Sequence, residues 1–214
     1  MDDVNQAVAA VAAQRAIISP QRAVLVAISG IDGSGKGYIT AQIAAQLAQQ
    51  GMTPAVVHLD GWLNLPDQRF CDADPAEHFY HHAFRFEALF TQLVMLLKAQ
   101  RSLTLTADYV EETDTEYRLH TYRFEAIEVI LLEGIFLLKR QFQPDYDLSF
   151  WIECSFETAL ERAIARSQEG LSPEEIVKAY HRIDFPAQRL HFARDRPQSA
   201  ATAIIDNDKR TGGV

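Results

Sequence analysis

The chain has few of the features that mark membrane or secreted proteins. It has two cysteines, Cys71 and Cys154, among 214 residues, which is too few for a disulfide framework and lacks metal-ligand spacing. No apolar run approaches the roughly 20 residues that cross a bilayer. Asp2 and Asp3 near the start are unlike the basic opening of a secretory signal. We therefore expect a protein of the reducing cytoplasm that has no membrane partner.

Positive charge is also scarce in the chain. Twenty Lys and Arg stand against 29 Asp and Glu, which gives a formal net charge of −9. A general nucleic-acid binder needs a basic face to displace counterions, so the charge argues against a nucleic-acid partner. A nucleotide ligand stays open, because nucleotide sites use local backbone dipoles rather than the overall charge.

Residues 30–37, with the sequence GIDGSGKG, fit the phosphate-binding pattern G-x-x-x-x-G-K-[ST] except at the last position, where Gly37 replaces a hydroxyl residue. An apolar run at 23–28 precedes this loop and a helical pattern follows it, which a chance glycine-rich turn would not require. We expect backbone N–H groups and a helix N-terminus to point at one phosphate, with Lys36 reaching the β- and γ-phosphates. The predicted ATP site comprises Gly30, Ile31, Asp32, Gly33, Ser34, Gly35, Lys36, Gly37 and Tyr38.

Strand and helix patterns alternate along the rest of the chain. Further buried strands are predicted at 54–59, 127–132, 148–152 and 203–205, and helical patterns at 39–47, 86–97 and 155–164. Cap signals at Asp74 and Ser172 start two more helices. The alternation predicts an α/β fold of the P-loop NTPase type, a doubly wound, mostly parallel sheet with helices on both faces.

Residues 102–124 depart from this alternation. Leu103 and Leu105 alternate with threonines, and a second alternating run covers 117–122 beyond an acidic turn. This pattern predicts a small two-stranded excursion off the main sheet, which we place on the substrate side. The chain is thereby divided into an N-terminal helix within residues 1–21, a P-loop domain at 22–208 and a loose tail at 209–214.

Two acids directly follow buried strands, Asp60 after Leu59 and Glu133 after Leu132. The carboxyl ends of parallel strands converge on one crevice, so both acids should lie beside the phosphate loop. Phosphoryl transfer needs a metal ion and a base at the acceptor hydroxyl. Glu133 and Asp60 are therefore candidate ligands of Mg²⁺, and Asp60 is also the candidate base.

Arg162 and Arg166 lie four residues apart on a predicted helix and are candidate cations for the transferring phosphate. A solvated helix face, with Glu161 and Glu169 as partners, explains their spacing equally well.

Aromatic and histidine side chains supply the candidate acceptor contacts. Trp62, Tyr80 and Tyr109 could stack on a substrate ring, although aromatic residues near a cleft more often pack in the core. His78 and His82 lie four apart on a predicted helix, but no third ligand stands at a zinc spacing, so a pocket wall or an exposed helix face is favoured over a metal site. The candidate substrate residues are Asp60, Trp62, Tyr80, His82 and Tyr109.

Residues 22–207 resemble, in motif order, the uridine kinase / phosphoribulokinase family of P-loop kinases. The resemblance rests on the phosphate loop, HLDGW at 58–62, LLEGIFLLK at 131–139, a thinned arginine-rich lid helix at 159–167 and the last strand with its base loop at 205–207. It implies that Asp60 is the general base, that Glu133 serves the metal, that Arg162 and Arg166 belong to the lid, and that ATP and Mg²⁺ are the cofactors.

The chain departs from the family at three points. Gly37 lacks the hydroxyl that holds Mg²⁺, no second arginine group follows the lid helix, and no aspartate stands in the ribose-binding run before Ala83-Phe84.

We therefore expect an ATP-dependent kinase that phosphorylates a hydroxyl of a small metabolite, a nucleoside such as uridine or a sugar phosphate. The alternative is an ATP-binding protein with degraded or absent kinase activity. A regulatory GTPase is disfavoured because the chain has no N-K-x-D guanine motif. The sequence does not determine the oligomeric state, and a homo-oligomer is one of the alternatives.

Overall fold

The computed structural model describes residues 2–166 and 170–208. The predicted tail at 209–214 and the end of the lid segment, with Ser167 and Glu169, lie outside the described residues. The strands are β1 (Val24–Gly30), β2 (Pro54–His58), β3 (Leu103–Tyr109), β4 (Arg118–Phe124), β5 (Val129–Gly134), β6 (Leu148–Glu153) and β7 (Ala203–Asp206).

Helices connect the strands in the described ranges. They are α1 (Asp2–Ile17), α2 (Lys36–Gln49), α3 (Pro66–Arg69), α4 (Pro75–His82), α5 (Phe86–Ala88), α6 (Met95–Gln100), α7 (Phe156–Arg166), α8 (Pro173–Ala179), α9 (Phe185–Asp195) and α10 (Pro197–Ala200). The π-helical turns Leu89–Val94 and Tyr180–Asp184 join α5 to α6 and α8 to α9. None of these helices is long and apolar enough to cross a membrane.

Five parallel strands form the main sheet in the order β2-β5-β1-β6-β7. Side chains alternate between its two faces, as the strand period requires. Val24 and Val26 belong to the cluster that α1 and α2 cover, whereas Leu25 and Ala27 face the larger cluster under α4 and the π-helical turn Leu89–Val94. The predicted doubly wound α/β fold with helices on both faces is confirmed.

The antiparallel pair of β3 and β4 forms the excursion and lies against the turn that carries Asp60. Trp62 forms an isolated bridge with Val110, just beyond β3. A Cβ on Gly61 would lie 2.6 Å from the Tyr109 ring, so the glycine lets the hairpin approach the turn closely. The excursion therefore forms a wall beside the carboxyl end of β2.

Several elements differ from the boundaries that the sequence predicts, and three of the differences have a clear structural cause. β5 runs to Gly134 rather than Leu132, because its last two residues pair with Ile28 and Ser29 of β1. β2 ends at His58, since the next residues form a 3-10 turn. The helix predicted at 86–97 contains a π-helical turn, where the Thr91 hydroxyl donates to the Glu87 carbonyl at 2.7 Å and so competes with the regular helix bonds.

Candidate active site

The phosphate loop joins the end of β1 at Gly30 to the start of α2 at Lys36. Gly33 and Gly35 have positive φ angles of 73° and 85°, which L side chains rarely adopt. A Cβ at Gly33 would lie 2.4 Å from the Ala159 carbonyl oxygen, and one at Gly35 would lie 2.4 Å from the Asn207 amide nitrogen. The loop therefore needs both glycines to turn its backbone towards a phosphate.

Side chains from the far end of the chain hold this loop in place. Arg162 on α7 donates to the carbonyl oxygens of Ser34 at 3.1 Å and Asn207 at 2.7 Å. The Asn207 amide donates to the same Ser34 carbonyl at 2.7 Å. Arg162 is half-buried, so it does not lie on the solvated helix face that its spacing alone allows.

Asp32 connects the loop to α7 and to the π-helical turn Tyr180–Asp184. It accepts a hydrogen bond from the Tyr180 hydroxyl and lies 3.6 Å from the Arg166 guanidinium. Burial alone would raise the pKa of Asp32, but the charges of Lys36 and Arg166 and the bond from Tyr180 outweigh it and lower that pKa. Arg166 is thus placed at the phosphate loop by an ion pair.

Lys36 is buried and folds back over the loop, where its Nζ donates to the Ile31 carbonyl at 3.0 Å. The charge of Lys36 acts on both Asp32 and Asp60, because it favours the ionised form of each carboxyl and so contributes a lowering of each pKa. The lysine therefore lies close enough to the loop and to the carboxyl end of β2 for its charge to act on an acid of each.

The strand register brings the predicted carboxylates together. Glu133 on β5 is aligned with Ile28 of β1 on one side and with His58 of β2 on the other. It is buried, and its Oε2 lies 2.9 Å from His58 Nδ1. Asp60 follows two residues after His58, which places both acids at the same edge of the sheet.

Asp60 is exposed to solvent, although many protein atoms lie around its carboxyl group. The pKa of Asp60 is raised to about 6, first by burial and then by the charge of Glu133, while the charge of Lys36 opposes the rise. Glu112 of the acidic turn between β3 and β4 adds to the rise, so the excursion contributes charge to this site. A carboxyl with this pKa is ionised at neutral pH and is more basic than an ordinary aspartate.

The donor set beside the loop fits a magnesium ion. No group of three or more His, Cys, Asp and Glu in the described part of the chain could by itself hold a metal. Mg²⁺ commonly takes one or two protein carboxylates, and its other ligands are waters and substrate phosphates. Glu133 and Asp60 can provide the carboxylates. A Cβ on Gly37 would meet nothing within 4 Å, so the place of the missing hydroxyl is open.

The candidate substrate residues separate into packed and accessible side chains. Trp62 is fully buried and stacks on Tyr122 with ring centroids 6.0 Å apart. Tyr80 is buried, and its hydroxyl donates to Asp195 at 2.5 Å. Stacking of a substrate on either ring would therefore require the side chain to move.

Tyr109 and His82 are more accessible. Tyr109 is half-buried beside Gly61, next to Asp60. His82 is exposed and lines an open cleft of about 650 Å³. These two residues stay candidates for direct contact with an acceptor.

Sequence reasoning did not single out Tyr180 or Arg85, which the structure brings to the site region. Tyr180 lies on a π-helical turn far along the chain, and no local pattern indicates its bond to Asp32. Arg85 donates to the Leu63 carbonyl at 3.1 Å and so fixes the segment after Asp60. Its position directly after Ala83-Phe84 is the one signal that could have drawn attention to it.

The comparison with curated proteins finds uridine kinases. That of Macrococcus caseolyticus is 28% identical over 161 residues, which are 73% of this chain and 75% of that protein. That of Mannheimia succiniciproducens is 26% identical over 187 residues, which are 85% of each chain. No family model matches the chain.

Solved structures share the fold. A possible uridine kinase of Bacillus stearothermophilus matches with a TM-score of 0.73 at 18% identity and covers 95% of this chain and 100% of that one. The D-glycerate 3-kinase of Cryptococcus neoformans matches with a TM-score of 0.60 at 12% identity over 87% of each chain. The solved structures thus show that the chain has the fold of the P-loop kinases. The curated relatives confirm its resemblance to the uridine kinases and support a kinase function.

Proposed function

We propose that the protein is an ATP- and Mg²⁺-dependent kinase that transfers the γ-phosphate of ATP to a hydroxyl of a small metabolite, a nucleoside such as uridine or a sugar phosphate. One observation carries the proposal: the strand register brings Glu133 to the sheet edge where Asp60 follows β2, beside the phosphate loop and its lysine. A protein that only binds nucleotide needs neither acid. With two free cysteines, we place the activity in the cytoplasm.

The loop and Lys36 would bind the nucleotide. The backbone N–H groups between Gly30 and Tyr38 would hold the phosphate oxygens at the N-terminus of α2, where the helix dipole favours negative charge. Lys36 would exchange its contact with the Ile31 carbonyl for the β- and γ-phosphates. Arg162 keeps the loop in shape through the carbonyls of Ser34 and Asn207. Arg166, which Asp32 holds at the loop, would contact the transferring phosphate.

A bound Mg²⁺ would neutralise charge on the β- and γ-phosphates. Glu133 would hold the ion or its waters, and the ion pair with His58 fixes the direction of that carboxylate. Asp60 would share in this shell, and the open space at Gly37 leaves room for a water in place of the usual hydroxyl.

Asp60 would accept the proton of the acceptor hydroxyl. Because its pKa lies near 6, it is ionised at neutral pH and yet basic enough to take a proton as the new bond to phosphorus forms. Tyr109 and His82 would contact the acceptor, and the hairpin of β3 and β4 would close the substrate side of the site.

A coupled assay of ADP release tests the proposal. The purified protein is mixed with Mg·ATP and a panel of nucleosides, pentose phosphates and pantothenate-like alcohols. We expect ADP formation that depends on one class of acceptor and falls by about 10²–10⁴-fold in Asp60→Asn. ATP binding without acceptor-dependent ADP across the panel would remove the kinase assignment.

The alternative is an ATP-binding protein with degraded or absent kinase activity, and Gly37 favours it because the motif loses a metal ligand there. The retention of both Asp60 and Glu133 at one sheet edge supports an active enzyme instead. The two cases separate in the variant Gly37→Thr: a native protein without turnover that gains it in this variant would favour the degraded kinase.

A further inference from the structure

The open cleft that His82 lines begins beside the turn that carries Asp60. One wall is the segment after that turn, because Asn64 lines the cleft and the backbone of Arg85 pairs with Trp62 through an N–H bond of 2.8 Å. Gln92 and Lys139 also line the cleft. The Arg85 guanidinium lies 3.5 Å from the Gly61 carbonyl oxygen, so the cleft adjoins the turn that carries the predicted catalytic base.

Lys139 is a buried ammonium at this cleft, only 8% exposed. Its Nζ donates to the Tyr80 carbonyl at 2.5 Å and lies 4.1 Å from the centre of the Tyr80 ring and 5.0 Å from that of Phe86. Burial lowers the pKa of Lys139 to about 8, and the more distant Asp195 opposes that shift. The positive charge is thus poorly solvated.

Arg85 is the second cation of the cleft. Its guanidinium donates to the carbonyls of Leu63 at 3.1 Å and Asp108 at 2.8 Å and lies 4.6 Å from the centre of the Tyr117 ring. In the described part of the chain, neither Arg85 nor Lys139 has a carboxylate within the 4.0 Å of an ion pair. Carbonyls and rings orient both cations but leave their charge uncompensated.

The acids near the cleft do not compensate these charges. Asp195 already accepts bonds from the Tyr80 hydroxyl at 2.5 Å and from His191 at 2.7 Å. Glu87 lines the cleft as the one carboxylate among its residues, against two cations. The pKa of His82 is lowered by burial first and then by the charges of His78, His81 and Lys139, which agrees with an excess of positive charge there.

We propose that this cleft binds the anionic group of the phosphate acceptor, so that the acceptor is a hydroxylated phosphate monoester or carboxylate rather than a neutral nucleoside. The inference rests on the proposed function, since it takes Asp60 to be the base beside the cleft. Lys139 and Arg85 would bind the oxyanion, and its hydroxyl would reach towards Asp60. An anion at Lys139 would restore the interactions that its ammonium lost on leaving water.

A purely structural role for Lys139 predicts something different. Its bond to the Tyr80 carbonyl lies in the last turn of α4, where a cation also stabilises the helix dipole. In that case the cleft would bind charged and neutral sugars with the same affinity.

Binding measurements without ATP distinguish the two roles. Calorimetric titrations compare ribose 5-phosphate with ribose and gluconate with glucose, so that a phosphate and a carboxylate are each matched with a neutral partner. We expect at least one anionic probe to bind about tenfold or more tightly than its neutral partner, and Lys139→Met to remove that difference. Lys36→Ala should keep it, which shows that the probe is not in the phosphate loop. The exposed Lys178→Met is the matched control and should behave as the native protein.

A second pair of variants avoids the buried lysine, whose replacement could disturb folding. Gln92 is exposed and lines the cleft, so both Gln92→Glu and Gln92→Lys should fold normally. We expect the glutamate to weaken anion binding and the lysine to strengthen it by a few-fold each, with no change for the neutral probes.

The proposal is overturned if no anionic probe exceeds its neutral partner, or if the preference survives Lys139→Met and both Gln92 variants. It is also overturned if the preference disappears in Lys36→Ala, because the anion then lies in the phosphate loop. These outcomes involve no phosphate transfer. Failure of the proposed function would instead appear as anion binding in the cleft without any acceptor-dependent ADP release.

Discussion

The phosphate loop and the acceptor cleft are built in different ways. In the loop, two glycines with positive φ expose backbone groups, and Arg162 and Asn207 lock the Ser34 carbonyl from behind. The cleft is open, and its surface is made of side chains, among them His82, Arg85 and Lys139. Binding of phosphates is the same task for every user of ATP, so backbone suffices, whereas recognition of one acceptor needs particular side chains. Under the proposed function, the side chains of the cleft therefore determine which acceptor binds.

The largest effect should come from the group where the two regions meet. Asp60→Asn keeps the shape but cannot take the proton, so we expect kcat to fall by about 10²–10⁴-fold while ATP affinity stays nearly intact. Steady-state kinetics and ATP titration measure the two quantities. The exposed Asp67→Asn should keep normal turnover. Full turnover in Asp60→Asn would place the base elsewhere.

Removing the loop's charge should act on the nucleotide alone. Lys36→Ala deletes a charge-assisted contact worth about 1.5–3 kcal/mol, so ATP should bind roughly ten- to a hundred-fold more weakly. Calorimetric titration gives the affinity, and Lys178→Ala serves as the control. The same ATP affinity in Lys36→Ala as in the native protein would mean that the phosphate loop is not the nucleotide site, and the distinction between the loop and the cleft would fail.

The pH profile should report the environment of Asp60. Only its ionised form accepts a proton, and its pKa is raised to about 6. We therefore expect kcat/KM to fall about tenfold per pH unit below pH 6 and to be level just above it. The residual activity of Asp60→Asn should lose this acidic limb. An acidic limb centred near pH 4 would mean that the carboxyl is not held as described.

The smallest effect should come from restoring the motif's last position. A Cβ on Gly37 has open space around it, and threonine also tends to form helix better than glycine, so Gly37→Thr should fold. Its hydroxyl can replace a water on Mg²⁺, and we expect a lower Mg²⁺ concentration for half-maximal ADP formation. Gly37→Ala, which adds only the methyl group, is the matched control. An unchanged or higher requirement in folded Gly37→Thr would mean that another group already compensates.

The sequence predicts the parts of the fold and of the site that depend on local patterns. The strand, the glycine loop, Lys36 and the two strand-end acids are local patterns, and the parallel sheet brings Glu133 and Asp60 together through its register. The parallel sheet with helices on both faces follows from the alternation of strands and helices as well, whereas the strand order β2-β5-β1-β6-β7 does not.

The remaining parts depend on contacts between distant segments. Nothing near Arg162 in the sequence indicates that it holds the Ser34 carbonyl, and nothing near Tyr180 indicates its bond to Asp32. Trp62 reads as a possible stacking residue, but it lies under the hairpin because Gly61 lets Tyr109 approach. Burial and pairing of this kind are tertiary properties that a linear pattern does not contain.

The most direct measurement of the central claim follows the phosphate itself. The purified protein is incubated with Mg·ATP labelled at the γ-phosphate and with the acceptor panel, and the products are separated. We predict label on an acceptor in an amount equal to the ADP formed, with almost none in Asp60→Asn. Label that appears only as inorganic phosphate, or stays on ATP with every acceptor, would contradict the account.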